Sequence, residues 1–289
     1  LIDVAAAAEA SMCAIPDALL RDPPPDPTAP AQSLAQAIPS GGVNLNAVLY
    51  TASGQGPHPT ILLLHGLPGN EQNIDLAQSA RRAGWNVLTL HYRGSWGSPG
   101  SFSFDHCLED GAAALAWLRA RASGPRIDRD RIAVVGHSMG GFVAAHLAAA
   151  DPGLIGAGLL SGVALGPVFG AADKDRAVAV VDENVGTSEG LHILSGTSPG
   201  RLADEAGARS DQWRLETFAP ALAGRPLLLV TSDDGFAPGS DALARAVARC
   251  GGGKLRQAHF PTDHSYSDHR IALQTEVLTW LHLCDPPAA

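Results

Sequence analysis

The stretch Val134-Val135-Gly136-His137-Ser138-Met139-Gly140-Gly141 constrains this chain more than any other. The apolar run Ile132 to Val135 precedes the serine, and the helix-like run Phe142 to Ala150 follows it. The pattern is strand, sharp turn, helix, with Ser138 at the tip. Gly136 and Gly140 carry no side chains, so strand and helix can approach closely around a strained turn. A helix that begins just after Ser138 aims its N-terminal amides and positive dipole end at the place where an oxyanion would form. The competing interpretation is an ordinary glycine-rich turn whose serine caps the helix.

The rest of the chain supplies the sheet. Val43 to Thr51 alternates, Thr60 to Leu64 is a continuous apolar run of the kind buried on both faces of a parallel sheet, Trp85 to Leu90 and Pro226 to Thr231 are expected buried strands, and Leu154 to Ser161 is a further expected strand. Leu255 to Phe260 is the last expected strand. Helical spacing is expected over 73–83, 104–120, 240–250 and 271–283, and Ile127 to Asp130 is expected to be a turn. Strands alternating with helices predict an α/β chain with a doubly wound, mainly parallel sheet. Asp22 to Pro30 holds five prolines in nine positions, so residues 1–42 are expected to form an N-terminal proline-rich arm ahead of a catalytic domain over 43–289. Residues 162–224 lose sheet periodicity and predict an inserted cap.

Composition excludes some partners. The chain of 289 residues has 20 basic and 29 acidic side chains, a formal net charge of −9 and no basic cluster, which argues against nucleic acid and anionic membrane surfaces. No apolar run reaches the roughly 18 residues of a membrane span. Ala5 to Ala8 and Ala10 read equally as the tail of a processed export signal or as an ordinary alanine-rich helix, leaving an exported and a cytoplasmic location both open. Cys13, Cys107, Cys250 and Cys284 lack the spacing of a metal clip. They are either four free thiols or, in an oxidising compartment, one Cys250–Cys284 disulfide and two thiols.

In this setting the Gly-x-Ser-x-Gly turn resembles the nucleophile elbow of the α/β-hydrolase superfamily, among whose members esterases, acyl-peptidases and dienelactone hydrolases are similar. The likeness covers roughly residues 43–283. His65-Gly66-Leu67-Pro68-Gly69-Asn70 is similar to the family's His-Gly turn, which implies the backbone amides of Leu67 and Met139 as oxyanion donors and a loop-bracing role for His65. The loop His91 to Gly100 resembles the family's Arg-Gly loop, where Tyr92 or Arg93 touches substrate or Arg93 braces the loop. The family's order of serine, acid, histidine implies an acid in Ser232 to Pro238 and a base in Pro261 to His269. Asp234 with Pro238 fits Asp-x-x-x-Pro, with Asp233 as competitor, and His264 fits the family's Asp-His turn. His269 reads as a solvent-facing residue of the closing helix.

The resemblance implies a serine hydrolase that cleaves a small-molecule carboxylic ester through Ser138, Asp234 and His264 and an acyl-enzyme intermediate, with no cofactor and no metal. Peptidase or amidase activity and lactone or thioester hydrolysis use the same parts. A binding protein on a hydrolase scaffold is disfavoured, because all three positions are occupied. Phe169 and Trp213 of the expected cap, with Tyr92, are the expected substrate contacts.

Overall fold

The expected apolar runs pair side by side in a single eight-stranded sheet in the computed structural model, which describes residues 15–120, 124, 126–170, 175–176, 178–179 and 191–285. The strands are β1 (Gln32–Ser40), β2 (Val43–Thr51), β3 (His58–Leu64), β4 (Asn86–Leu90), β5 (Ile127–His137), β6 (Gly156–Leu160), β7 (Leu227–Ser232) and β8 (Leu255–Phe260). Their order is β1-β2-β4-β3-β5-β6-β7-β8. The β1–β2 and β2–β4 pairs are antiparallel and every pair from β4 to β8 is parallel. The carboxyl ends of six strands therefore share one edge, where open α/β sheets assemble their sites.

Side-chain alternation splits the core in two. Leu62, Leu64, Val134, Leu227 and Leu229 face one layer of helices, whereas Ile61, Leu63, Val135, Leu228 and Val230 face the other. Helices α3 (Phe104–Arg119), α4 (Met139–Ala150) and α8 (Ala237–Arg249) cover the first face, and α2 (Ile74–Arg82) and α9 (Arg270–Cys284) cover the second. Where both faces are buried, in β3, the second half of β5 and β7, the strands read as largely apolar runs.

Three boundaries differ from expectation. The stretch assigned to the arm contains β1, which forms a hairpin with β2 around Gly41 and Gly42 and occupies the sheet edge. Pro39 lies in this strand, a place where an edge tolerates a missing donor. The short helix α1 (Asp17–Leu20) and the irregular stretch up to Ala31 strap the surface: Arg82 Nε donates to Ala18 O at 2.6 Å and Arg126 Nη1 to Pro30 O at 3.0 Å. Residues 127–130 are no turn but the start of β5, with a register irregularity against β3 between His58 and Thr60. His269 is the cap residue before α9 and not part of it. Among the described residues Cys107, Cys250 and Cys284 are free thiols, so no disulfide joins Cys250 to Cys284; Cys13 and the alanine-rich start lie outside the described residues.

The connection from β6 to β7 carries inserted helical segments: α5 (Leu165–Phe169), 3₁₀ turns at Leu191–Ile193 and Leu215–Phe218, α6 (Pro199–Ala208) and α7 (Ala219–Leu222). Part of the expected cap, residues 171–174, 177 and 180–190, lies outside the described residues. The segment is anchored by Glu205 of α6, whose carboxylate accepts from the amides of Phe104 at 2.9 Å and Asp105 at 2.8 Å. Those are orphan donors at the positive end of α3, where an anion is favoured. No helix among the described residues is long and apolar enough to cross a membrane.

A buried charge network fixes the loop after β4. Arg93 Nε donates to Asp110 Oδ1 at 2.7 Å, its amide to Oδ2 at 2.7 Å, and Ser40 Oγ to Oδ1 at 2.6 Å. Glu109 also pairs with Arg93. Asp110 is wholly buried and Arg93 nearly so. Asp110→Ala should lower unfolding stability by about 3–5 kcal/mol, because it leaves a buried guanidinium with only the exposed Glu109 as carboxylate partner and removes the acceptor of the Arg93 amide and Ser40 hydroxyl. Urea denaturation checks this, and an unchanged midpoint contradicts it.

Candidate active site

Ser138 occupies a strained conformation, φ 58° and ψ −124°, between β5 and α4, and its side chain does not cap the helix. The glycines around it are required by close approach. A Cβ on Gly136 would lie 1.9 Å from Gly140 O, and one on Gly140 would lie 2.3 Å from Leu64 O. The capping interpretation of this serine is thus excluded, and the strain is of the kind found at functional turns, on the order of 1–3 kcal/mol per residue.

The loop after β3 lies directly against the serine. A Cβ on Gly66 would sit 2.7 Å from Ser138 Cβ and 3.1 Å from its Oγ. Leu67 follows Gly66, and Met139 opens α4. Among the described residues neither the Leu67 nor the Met139 amide has a hydrogen-bond acceptor. His65 braces this loop: its Nδ1 donates to Gly66 O at 2.7 Å, and the Tyr92 hydroxyl donates to His65 O at 3.4 Å. Trp96 Nε1 donates to Pro68 O at 2.9 Å from the far side.

The acid and base loops meet beside it. His264 Nδ1 donates to Asp234 Oδ2 at 2.7 Å, and the carboxylate's other oxygen accepts from the Phe236 amide at 2.8 Å. The Asp234 side chain is 3% exposed and that of His264 is 34% exposed. Burial pushes the Asp234 carboxyl up, but hydrogen bonds from His264, Ser161, the Phe236 amide and Ser232 outweigh it and hold the group far below the ordinary carboxylate range. Asp233, the competitor, is 64% exposed and pairs with His259 Nε2 at 3.1 Å. Ser138 Oγ and His264 are not hydrogen-bonded to each other among the described residues. Such contacts are often long in the resting site and tighten in the reacting complex.

Several neighbours were not anticipated. His137, the variable residue before the serine, donates Nε2–H to His264 O at 2.8 Å, with the two rings 4.7 Å apart. It thereby ties the base loop to the elbow. Ser161 Oγ lies 3.0 Å from Ser232 Oγ and 2.8 Å from Tyr266 Oη, and Tyr266 Oη donates to Val230 O at 3.0 Å. Ser161 and Ser232 follow or end β6 and β7, so position at a strand's carboxyl end was the available signal. Ser161 and Tyr266 are themselves at positive φ, 45° and 56°.

The expected substrate contacts need correction. Tyr92 is fully buried and spends its hydroxyl on His65 O. Phe169 stacks on Phe104 at 5.6 Å, and Trp213 packs edge-on against Phe104 at 6.0 Å and Phe142 at 5.8 Å. These side chains fasten the inserted segment to α3 and α4 and have almost no free surface. Large aromatics in a sequence mark such seams as readily as ligand walls. Among the described residues no group of three or more His, Cys, Asp or Glu is placed to hold a metal ion.

His65 and His137 make stability depend on acid. Burial pushes His65 down to about 4 and His137 down to about 3. The unfolded chain takes up their protons below the ordinary value near 6.5, while the folded chain does not until those lower values. Their share of stability is thus complete above pH 6.5 and lost as pH falls. At about 1.4 kcal/mol per pH unit for each group, the two together cost roughly 4 kcal/mol by pH 5. Urea midpoints measured from pH 7.5 to 5 should fall accordingly, and less steeply in His137→Gln. A constant midpoint over that range refutes the effect.

The α/β-hydrolase fold model matches residues 59–188. Among curated proteins, the lysophosphatidylserine lipase ABHD12 of Danio rerio is 33% identical over 105 residues, which is 35% of this chain and 26% of that protein. Acylamino-acid-releasing enzyme 1 of Oryza sativa subsp. japonica is 30% identical over 118 residues, 37% of this chain and 15% of that protein. The match thus spans well under half the length of these relatives. Among solved structures, a carboxyl esterase from Bacillus coagulans superposes with a TM-score of 0.66 at 15% identity, covering 88% of this chain and 98% of that one. The carboxylesterase EstE1 from a metagenomic library gives 0.64 at 20% identity, covering 90% and 91%. The chain has the α/β-hydrolase fold: residues 59–188 match the family model, the sheet is mainly parallel, and most of the chain superposes on these solved structures.

Proposed function

We propose that the protein is a serine esterase that hydrolyses a small-molecule carboxylic ester through an acyl-enzyme. The observation that carries this is the 2.7 Å bond from His264 Nδ1 to a buried, strongly acidic Asp234, beside a serine strained at φ 58°. Holding Nδ1–H on Asp234 leaves the lone pair on His264 Nε2, the tautomer a general base needs. Ser138 Oγ attacks the ester carbonyl as His264 takes its proton. The carbonyl oxygen becomes an oxyanion, for which the unpaired amides of Leu67 and Met139 are the donors. The imidazolium then protonates the departing alcohol. Water, deprotonated by the same histidine, releases the acid and restores Ser138. Asp234 stays ionised throughout and stabilises the imidazolium. The decisive experiment is labelling with a fluorophosphonate, followed by a panel of matched ester, amide and lactone substrates. Labelling confined to Ser138 with ester turnover well above amide turnover is the expected result. An unlabelled chain points instead to a non-catalytic scaffold, and amide turnover equal to or above ester turnover points to a peptidase or amidase.

A further inference from the structure

A cleft of about 190 Å³ opens where α5 of the inserted segment meets the start of α8. Ala164, Pro167 and Val168 form one wall, and Phe236 and Pro238 form the other. One contact joins it to the reacting groups, and a neighbouring backbone bond ties its other wall to the elbow. Phe236 packs edge-on against the His264 ring, centroids 5.2 Å apart. Ala164 follows Val163, whose amide donates to Ser138 O at 3.2 Å. We propose that this cleft is the subsite for the alcohol portion of the ester and that it takes an uncharged, apolar group. This rests on the esterase assignment above.

Direction follows from proton transfer. When the acyl-enzyme forms, the bond from the carbonyl carbon to Ser138 Oγ is made and the bond to the alcohol oxygen breaks. The electron pair stays on that oxygen, which takes the proton His264 removed from Ser138. The alcohol oxygen must therefore lie within hydrogen-bond reach of His264, whereas the acyl group extends from the carbon bound to Ser138. One wall of the cleft, the Phe236 ring, packs on His264, and on that contact the cleft is assigned to the alcohol side.

Polarity follows from the rim. Its charges, Arg214 and Glu216, bond to each other at 2.7 Å, leaving no unpaired charge to receive a charged ligand. An ionised alcohol portion would lose water there without a partner. Size follows from volume, since about 190 Å³ is the room of roughly six waters at ~30 Å³ each, enough for a short alkyl group. Short alcohols fit it and long ones extend past it.

The test uses two series on the full chain: acetates of methanol, butanol, hexanol and octanol, and methyl esters of acetic, butyric and hexanoic acids. Wild type is compared with Val168→Trp, which fills the cleft, and Val168→Ala, which widens it. Fluorophosphonate labelling of Ser138 counts active sites. The expected result is that Val168→Trp lowers the hexyl-to-methyl ratio of kcat/KM in the alcohol series by about tenfold or more. Val168→Ala should move the optimum to a longer alcohol, and the acyl series should keep its slope in both. Val168→Ala decides the matter alone if the tryptophan variant does not fold. A shift in the acyl series instead, or no shift in either series while Ser138 still labels, overturns the subsite. A wild-type chain that takes up no fluorophosphonate overturns the esterase assignment and the subsite with it.

Discussion

Replacing Ser138 by alanine should reduce ester turnover by a factor on the order of 10⁴–10⁶ while the chain stays folded. On the proposed mechanism the drop is this large because nucleophile, base and acid would act as a unit, and only oxyanion stabilisation and substrate binding would survive its removal. Folding is spared because the Ser138 side chain makes no capping bond, and the turn geometry is set by Gly136 and Gly140. Initial rates on the best ester of the panel, with circular dichroism and a urea curve in parallel, give the answer. A folded variant that keeps a tenth of the activity removes Ser138 from the reaction.

The second large effect separates two adjacent carboxylates. Asp234→Asn should lower kcat by about 10⁴, because an amide at this position favours the wrong imidazole tautomer and cannot stabilise the imidazolium. Asp233→Asn should change kcat by less than about threefold, since its carboxylate is exposed and pairs with His259, and exposed pairs contribute little. The two variants assayed side by side at saturating substrate distinguish the residues. Equal losses, or a reversed order, would falsify the assignment of Asp234 as the acid.

Much of this arrangement was legible in the residues. The elbow declared itself through Gly136, Ser138 and Gly140, because close backbone approach admits few residue types there. Strand β3, the second half of β5 and β7 were visible as apolar runs, and Asp234 and His264 stood in loops at strand ends. What escaped detection depended on tertiary partners. β1 is stabilised by pairing with β2 and carries polar outward residues and Pro39, so it lacks a strong pattern of its own. The start of β5 is rich in Asp and Arg and extends only because β3 lies alongside. The hydroxyls of Ser161, Ser232 and Tyr266 converge from three separate segments, and no local spacing connects them. Phe169 and Trp213 show that aromatic content alone does not separate a seam from a pocket wall.

The long connection between β6 and β7 bears on how this chain can change over time. Both of its ends are held by the sheet, through the pairing of Ala157 to Leu160 with Leu227 to Val230. Lengthening a chain segment between fixed ends costs only about 0.6 kcal/mol per doubling, and this one already contains several short helices that pack independently of the strand register. Ser138, Asp234 and His264 all lie outside it. Beyond Ser161 and Val163, which bond to the site, segments here can be exchanged, shortened or enlarged without altering the turn at Ser138, whereas Gly136 and Gly140 allow no side chain at all. The inserted segment is accordingly the most evolvable part of the scaffold, and the turn at Ser138 the least.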